Sequence, residues 1–140
     1  MWNSYLGKRI LGFKFACKGA WLLLKKEPSI QVQAIIAVGI IIAGFYFDLS
    51  TTEWILQLFA IGLVMGLEGL ITAIEELSDF IHHDYHTKIG YIKDIAAGAV
   101  FLAALTAVII GCLIYIPKFL KILYGFKRFV IVFLSKVNLL

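Results

Sequence analysis

The most constraining feature of the sequence is an uninterrupted run of uncharged, mostly apolar residues from Ile95 to Ile116. A helix over this run is about 33 Å long, because an α-helix rises about 1.5 Å per residue, and the hydrocarbon core of a bilayer is about 30 Å thick. Of the 140 residues, 61% are hydrophobic and only 16% are charged, and the mean hydropathy is +0.93. These values exclude a water-soluble enzyme, and the length excludes a large transporter or receptor. The sequence therefore predicts a small all-helical membrane protein.

Two further spans precede this run, and the three predicted transmembrane helices cover about residues 28–47, 54–75 and 95–116. Pro28 suits the first turn of a helix and restricts the residue before it, so the first span is expected to begin there. Residues 48–53 form a short polar turn, whose serine and threonines can cap the second helix. Trp54 is a suitable interfacial anchor at the start of that helix. Pro117 is expected to end the third helix.

The segments that flank the spans mix basic and aromatic residues. Residues 1–26 are too charged to cross a bilayer, and their composition predicts an amphipathic helix on the membrane surface. A cleaved signal peptide is excluded, because the charges are spread through the whole segment. Residues 119–140 are interpreted as a C-terminal interfacial tail, in preference to a fourth span interrupted by Lys136. Cys17 and Cys112 lie far apart in apolar surroundings and indicate neither a disulfide nor a metal site.

The basic residues predict the orientation of the chain. Six lysines and arginines precede the first span, whereas the turn over residues 48–53 has none. Cytoplasmic flanks carry the excess of Lys and Arg, so the N-terminus and the connection after the second span are expected in the cytoplasm. Three spans then place the basic C-terminal tail outside, against this rule. The net charge of +4 and the pI of about 9.1 are explained by these flanks and not by a nucleic-acid partner.

Carboxylates are concentrated where the second span is expected to approach the cytoplasm. Glu68, Thr72, Glu75 and Asp79 are separated by four, three and four residues, so they share one face of a helix. A carboxylate inside a membrane is costly unless water or a ligand reaches it. A helix that simply leaves the bilayer explains Asp79, but it does not explain Glu68, whose neighbours are apolar. This face is therefore a candidate functional site.

Three other charged residues are expected near this face. Glu27 precedes the first span at the same membrane level, and Lys93 and Asp94 precede the third. Carboxylates can hold a divalent cation such as Mg²⁺ and can remove a proton from a hydroxyl, and a lysine can neutralise phosphate. Both roles are required for phosphate transfer to a lipid alcohol. The alternative is that Lys93 is an interfacial anchor and Glu27 a charge at a helix N-terminus.

These residues carry a resemblance to the small prokaryotic diacylglycerol kinase and undecaprenol kinase family. It rests on Glu68-Gly-Leu-Ile-Thr-Ala-Ile-Glu75, Asp84-Tyr-His86 and Lys93-Asp94-Ile-Ala-Ala-Gly-Ala-Val100, and it extends from about Lys18 to Lys118. The resemblance implies that residues 1–118 form a homotrimeric three-span lipid kinase with an N-terminal surface helix, in a bacterial inner or plasma membrane. It further implies transfer of the ATP γ-phosphate to diacylglycerol or undecaprenol with Mg²⁺.

The resemblance also assigns roles to individual residues. Glu68 matches the general base that takes the proton of the lipid hydroxyl. Glu27 and Glu75 match the metal-binding acids. The residues expected to bind the nucleotide are Glu27, Glu75, Asp79, Lys93 and Asp94.

The chain departs from the family pattern at two positions. The family has asparagine where this chain has Ile71, and it commonly has a basic residue where this chain has Gln31. The apolar Ile71 supports a second hypothesis, a catalytically impaired member that binds lipid or nucleotide or serves as a structural membrane protein. A third hypothesis is a small ion or proton conductor that uses the acidic face.

Two other patterns are interpreted as structural. The connection after the second span contains the histidines His82, His83 and His86. Without nearby cysteine they are typical of a solvated loop more than of a zinc site. The second span contains the glycines Gly62, Gly66 and Gly69. Their spacing indicates close helix packing. The sequence has no Gly-rich Walker loop, so side chains and a metal would have to hold ATP.

Overall fold

The protein is described here by a computed structural model, which covers residues 5–81 and 86–137. These residues form four α-helices: α1 Tyr5–Lys26, α2 Pro28–Tyr46, α3 Thr51–Ile81 and α4 Thr87–Val137. Helices α2, α3 and α4 are each long and apolar enough to cross a membrane. The predicted all-helical fold, with three apolar helices after an N-terminal helix, is confirmed. The histidines at 82 and 83 and the motif residues at 84 and 85 lie outside the described residues.

A single residue, Glu27, separates α1 from α2. Its backbone is extended, with φ −96° and ψ 110°, and Pro28 opens α2 as the sequence predicts. The Glu27 N–H donates to the Leu23 carbonyl at 3.0 Å, and the Glu27 carbonyl accepts from the Gln31 N–H at 3.0 Å. The backbone of the junction is therefore hydrogen-bonded on both sides of Glu27.

The turn between α2 and α3 is held by local hydrogen bonds. The Ser50 N–H donates to Glu53 Oε2 at 2.7 Å, and the Glu53 N–H is 3.4 Å from Ser50 Oγ. This reciprocal pair is a capping box, so the predicted cap of the second span by a serine is confirmed. The turn also requires a glycine in α2, because a Cβ on Gly44 would lie 2.6 Å from Leu49 and 2.8 Å from Trp54. Asp48 adopts a left-handed conformation with φ 49°.

Helix α4 continues through Pro117 for 51 residues, so the prediction that Pro117 ends the third helix is wrong. Proline removes one backbone N–H, but an apolar environment offers the neighbouring backbone groups no partner outside the helix. Lys118 also fixes the helix at this point, since its Nζ lies 3.1 Å from Glu53 Oε2 and 3.4 Å from the Asp48 carbonyl. The third span and the described part of the tail are therefore one helix. We call the region of residues 48–53 and Lys118 the turn end of the bundle.

Polar side chains link the three long helices near the turn end. The Tyr115 hydroxyl of α4 lies 2.5 Å from Gln57 Oε1 of α3 and 3.0 Å from the Ile40 carbonyl of α2. Gln57 is only 4% exposed, and its Nε2 is 3.4 Å from the same carbonyl. Hydrogen bonds between membrane helices contribute about 0.6 kcal/mol each on average. The sequence pattern does not predict this group, because Gln57 and Tyr115 stand alone within apolar runs.

Few apolar side chains are buried within the described part of the chain. They are Ile30, Ala37, Leu49, Ala60, Ala103 and Ile114. The other large apolar side chains on α2, α3 and α4 mostly point outward, as expected for helices surrounded by lipid or by further copies of the chain.

Candidate active site

The charged residues predicted to form the site lie at the end of the bundle opposite the turn end. They come from the α1–α2 junction, the second half of α3 and the first turns of α4: Glu27, Glu68, Glu75, Asp79, Lys93 and Asp94. We call this region the acidic end. The six residues come from three separate segments, and the order of the helices brings these segments to the same end of the bundle.

An ion pair joins α3 to α4 at the acidic end. Lys93 Nζ lies 2.7 Å from Asp79 Oδ1, and the two side chains are 31% and 61% exposed. A partly exposed pair of this kind contributes little to stability, about 0–1 kcal/mol. Lys93 can therefore exchange Asp79 for a phosphate oxygen at small cost.

Glu68 lies deeper in α3 and is half-buried. Its backbone carbonyl accepts a hydrogen bond from Thr72 Oγ1 at 3.0 Å, so the Thr72 hydroxyl is used within the helix. Its carboxylate has no hydrogen-bond or ion-pair partner among residues 5–81 and 86–137. Glu75, two turns later, is exposed. The carboxylate at membrane depth is therefore available to accept a proton.

One side chain of α1 contacts α3 directly beside Glu68. A Cβ on Gly69 would lie 2.9 Å from Leu23 Cδ1, so the glycine allows this close approach. Leu23 is one turn before Glu27, so the contact brings the α1–α2 junction to the level of Glu68. The packing interpretation of the glycines is thus supported at Gly69. At Gly62 and Gly66 no described atom lies within 4 Å of the Cβ position.

Gln31 closes the same junction. Its Nε2 donates to the Lys25 carbonyl at 3.0 Å, across the break in the helix at Glu27. In the sequence, Gln31 differs from the basic residue common in the family, and nothing distinguishes Leu23 from the other leucines. Both roles depend on how α1 sits against α2 and α3, which the sequence pattern does not encode.

Substituting Gly69 by valine is expected to lower kinase activity about 10- to 100-fold. The added methyl groups overlap Leu23 Cδ1. We expect Leu23 to change rotamer and α1 to shift away from α3, which displaces Glu27 relative to Glu68. Lipid phosphorylation by the purified variant measures the effect. The double variant Gly69→Val with Leu23→Ala removes the overlap and should recover most of the activity. A double variant as inactive as Gly69→Val would show that the contact does not position the site.

The carboxylates fit the ligand chemistry of Mg²⁺, although they do not form a complete metal cage. Among the described residues no group of three or more His, Cys, Asp or Glu side chains converges. Mg²⁺ in nucleotide sites is commonly held by one or two carboxylates together with phosphate oxygens and water. Glu27 and Glu75 at the acidic end supply that number of carboxylates. Asp94 is exposed on α4, next to Lys93.

An apolar cavity of about 370 Å³ lies between α2, α3 and α4. It is lined from Met65, one turn before Glu68, to Gln57 and Tyr115 near the turn end. Gln33 also lines it, and Gln33 Oε1 is buried without a hydrogen-bond partner in the described structure. The space between the three long helices, which ends about one turn short of Glu68, is therefore suited to hydrocarbon.

Comparison with known proteins places these features in a family. The family model for prokaryotic diacylglycerol kinase matches residues 14–115. An undecaprenol kinase from Bacillus subtilis is 38% identical over 116 residues, which cover 83% of this chain and 94% of that protein. A diacylglycerol kinase from Synechocystis is 30% identical over 81% of this chain and 66% of its own length. A diacylglycerol kinase from Escherichia coli K12 is 28% identical over 69% of this chain and 77% of its own length. The residues that the family model matches include the whole acidic end and stop before Pro117. The chain therefore belongs to the prokaryotic diacylglycerol kinase family.

Proposed function

We propose that this membrane-bound, ATP-dependent lipid kinase transfers the γ-phosphate of ATP to the hydroxyl of undecaprenol or diacylglycerol. The observation that carries the proposal is the arrangement at the acidic end. A half-buried carboxylate, Glu68, lies about one helical turn beyond Met65, the residue of α3 at which an apolar cavity ends. A partly exposed cation, Lys93, lies near the start of α4. A lipid alcohol can approach from the membrane, and a nucleotide can approach from water.

Glu68 is the proposed general base. The bond between the lipid oxygen and the γ-phosphorus forms while the bond from that phosphorus to the bridging oxygen of ADP breaks. The hydroxyl proton passes to the Glu68 carboxylate, which has no other partner in the described structure. General-base catalysis typically contributes about 10²–10⁴-fold to a rate.

Lys93 is the proposed phosphate-binding cation, with Asp79 as the residue that positions it. In the structure Asp79 holds the ammonium group at 2.7 Å. A bound nucleotide would take over part of this contact through its phosphate oxygens. Phosphoryl transfer depends mainly on such positioning and on neutralisation of the phosphate charge. Asp94, beside Lys93, is proposed as a further residue of the nucleotide site.

Glu27 and Glu75 are the proposed residues that hold Mg²⁺. They lie on different elements, at the α1–α2 junction and on α3, so one ion can be shared between the two. The ion supplies charge neutralisation and orientation to the phosphates when it is bound. The contacts of Gln31 with Lys25 and of Leu23 with Gly69 set the position of Glu27.

We also propose an orientation in the membrane and an oligomeric state for the protein. The acidic end faces the cytoplasm, where ATP is available, and the six basic residues before α2 support this orientation. A homotrimer in a bacterial plasma membrane is proposed from the resemblance. The outward-facing apolar side chains of the three long helices are compatible with contacts between copies.

A single assay tests the proposed reaction. The purified protein in mixed micelles is incubated with Mg²⁺ and radiolabelled ATP, with undecaprenol or diacylglycerol as the only lipid alcohol. We expect transfer of label to at least one lipid, with loss of transfer when Mg²⁺ is chelated. Failure to label either lipid at saturating ATP would contradict the proposed function.

Ile71 supports a second candidate, the impaired member that binds lipid or nucleotide without turnover. Ile71 is half-buried on α3 between Glu68 and Glu75, and it has no hydrogen-bonding side chain. The natural chain and the variant Ile71→Asn are compared in the same assay. Equally high activity of both defeats the second candidate, whereas activity of the asparagine form alone supports it.

A further inference from the structure

The end of α4 lies beyond the membrane span and beyond the family match. Helix α4 has 51 residues and is about 76 Å long, whereas the uncharged run Ile95–Ile116 already accounts for about 33 Å and fills the hydrocarbon core. The family match ends at residue 115. Residues 119–137, which we call the C-terminal segment, therefore need an explanation outside the kinase site.

The C-terminal segment has an apolar face and a basic face. Phe119, Leu123 and Phe126 are spaced by four and three residues and share one face, where they are 58%, 55% and 67% exposed. Lys121 and Arg128 are seven residues apart and share another face of the helix. Lys118, three residues before Lys121, lies next to this face. A helix with this pattern is typical of segments that lie in a membrane interface.

The charge of the segment points to an anionic surface. It carries Lys121, Lys127, Arg128 and Lys136, and the chain has no acidic residue after Asp94. Aromatic side chains with lysine and arginine stems suit the boundary between headgroups and acyl chains, where the charged groups meet lipid phosphates. A soluble partner would have to cover both the apolar and the basic face of the helix. At the surface of an anionic bilayer, acyl chains can contact the apolar face while lipid phosphates contact the basic residues.

The structure gives the starting point of the C-terminal segment, and the sequence provides a proline at which the continuous helix α4 could bend. Lys118 is held at the turn end by Glu53 and the Asp48 carbonyl, so the C-terminal segment begins where the helices leave the membrane. Pro117, just before it, lacks the N–H that would bond to the Leu113 carbonyl. Helices bend most readily at such a proline. A bend at Pro117 lays the apolar face of the segment on the bilayer.

We propose that the C-terminal segment is a surface helix that binds anionic phospholipids at the turn end of the bundle. Its apolar face enters the interface, and Lys121, Lys127 and Arg128 contact the lipid phosphates. This site is separate from the acidic end and does not depend on the proposed kinase reaction.

The test uses the full-length protein in lipid nanodiscs. In a Cys17→Ser, Cys112→Ser background, Phe126→Cys is labelled with an environment-sensitive fluorophore. Nanodiscs contain phosphatidylcholine alone or phosphatidylcholine mixed with phosphatidylglycerol. We expect a blue shift of the emission and quenching by a lipid-borne quencher in the anionic nanodiscs, both reduced by added salt. The triple variant Lys121→Gln, Lys127→Gln, Arg128→Gln should lose the shift.

A matched control keeps the outcome interpretable. The same label at Val108→Cys, which is 61% exposed on the third span, reports correct insertion and should be blue-shifted in both lipids. If the control label is blue-shifted in both lipids, emission from the label at position 126 that indicates exposure to water in both lipids would overturn the proposal. A label protected equally in both lipids, without salt dependence, would also overturn it and indicate contact with protein or a buried helix.

Discussion

Replacing Glu68 by glutamine is expected to lower the turnover of lipid phosphorylation by about 10²–10⁴-fold, while ATP binding is retained. The amide keeps the size of the side chain but cannot accept the hydroxyl proton. Glu68 is the one half-buried carboxylate on the acidic face of α3, so no described neighbour on that face is placed at the same depth to replace it. Steady-state kinetics with radiolabelled ATP measure kcat, and calorimetric titration measures nucleotide affinity.

Glu76→Gln is the matched control for this experiment. Glu76 is an exposed glutamate on the same helix, and none of the proposed roles uses it. The control variant should retain nearly normal kcat, because it removes a solvated charge. A Glu68→Gln enzyme with kcat close to that of the natural chain would show that another group removes the proton.

Replacing Glu75 by alanine is expected to raise the Mg²⁺ concentration needed for half-maximal activity about tenfold or more. The substitution removes a carboxylate ligand, so the remaining ligands hold the ion less tightly. Glu27→Ala should act in the same direction, because Glu27 is proposed to bind the same ion from the α1–α2 junction. Activity measured across a Mg²⁺ titration at fixed ATP gives the half-maximal concentration.

Glu76→Ala controls the effect of losing a negative charge at this end of α3. The neighbouring position is rotated by about 100° around the helix from Glu75. It should leave the Mg²⁺ titration nearly unchanged. The metal assignment fails if Glu75→Ala and Glu76→Ala shift the titration equally, since a general field effect would then explain both.

The fold class could be predicted from the sequence, and the candidate site residues could be assigned to one end of the bundle, because both depend on local patterns. Long uncharged runs specify membrane helices, and carboxylates at helical spacing share a face whatever the tertiary structure is. Pro28 was also interpreted correctly, since its effect on the preceding residue is local. The sequence assigns Lys93 and Asp79 to the same candidate site, but it does not predict their ion pair, because the distance between them depends on how α3 and α4 pack.

The features that were missed depend on surroundings that one residue type does not reveal. Pro117 ends a helix in water more readily than in an apolar environment, where the neighbouring backbone groups have no other partner. Gln57 and Tyr115 each lie alone in an apolar run. Their hydrogen bonds form only where three helices pack together, so the sequence does not predict them. Leu23 is one of many leucines, and only the contact with Gly69 distinguishes it.

The uneven distribution of polar contacts along the bundle has a consequence for its motion. At the turn end, hydrogen bonds of Gln57 and Tyr115 and the ion pair of Lys118 fix all three long helices relative to one another. In the described part of the acidic end, the contacts that link the helices include the partly exposed ion pair of Lys93 with Asp79 and the contact of Leu23 with Gly69. We therefore expect local opening to have a lower free energy at the acidic end than at the turn end, where the partly buried hydrogen bonds keep the helices in register. Substrates that contact both the carboxylates and Lys93 would add contacts between the helices at the acidic end. Substrate binding would then also reduce the motion of that half of the protein.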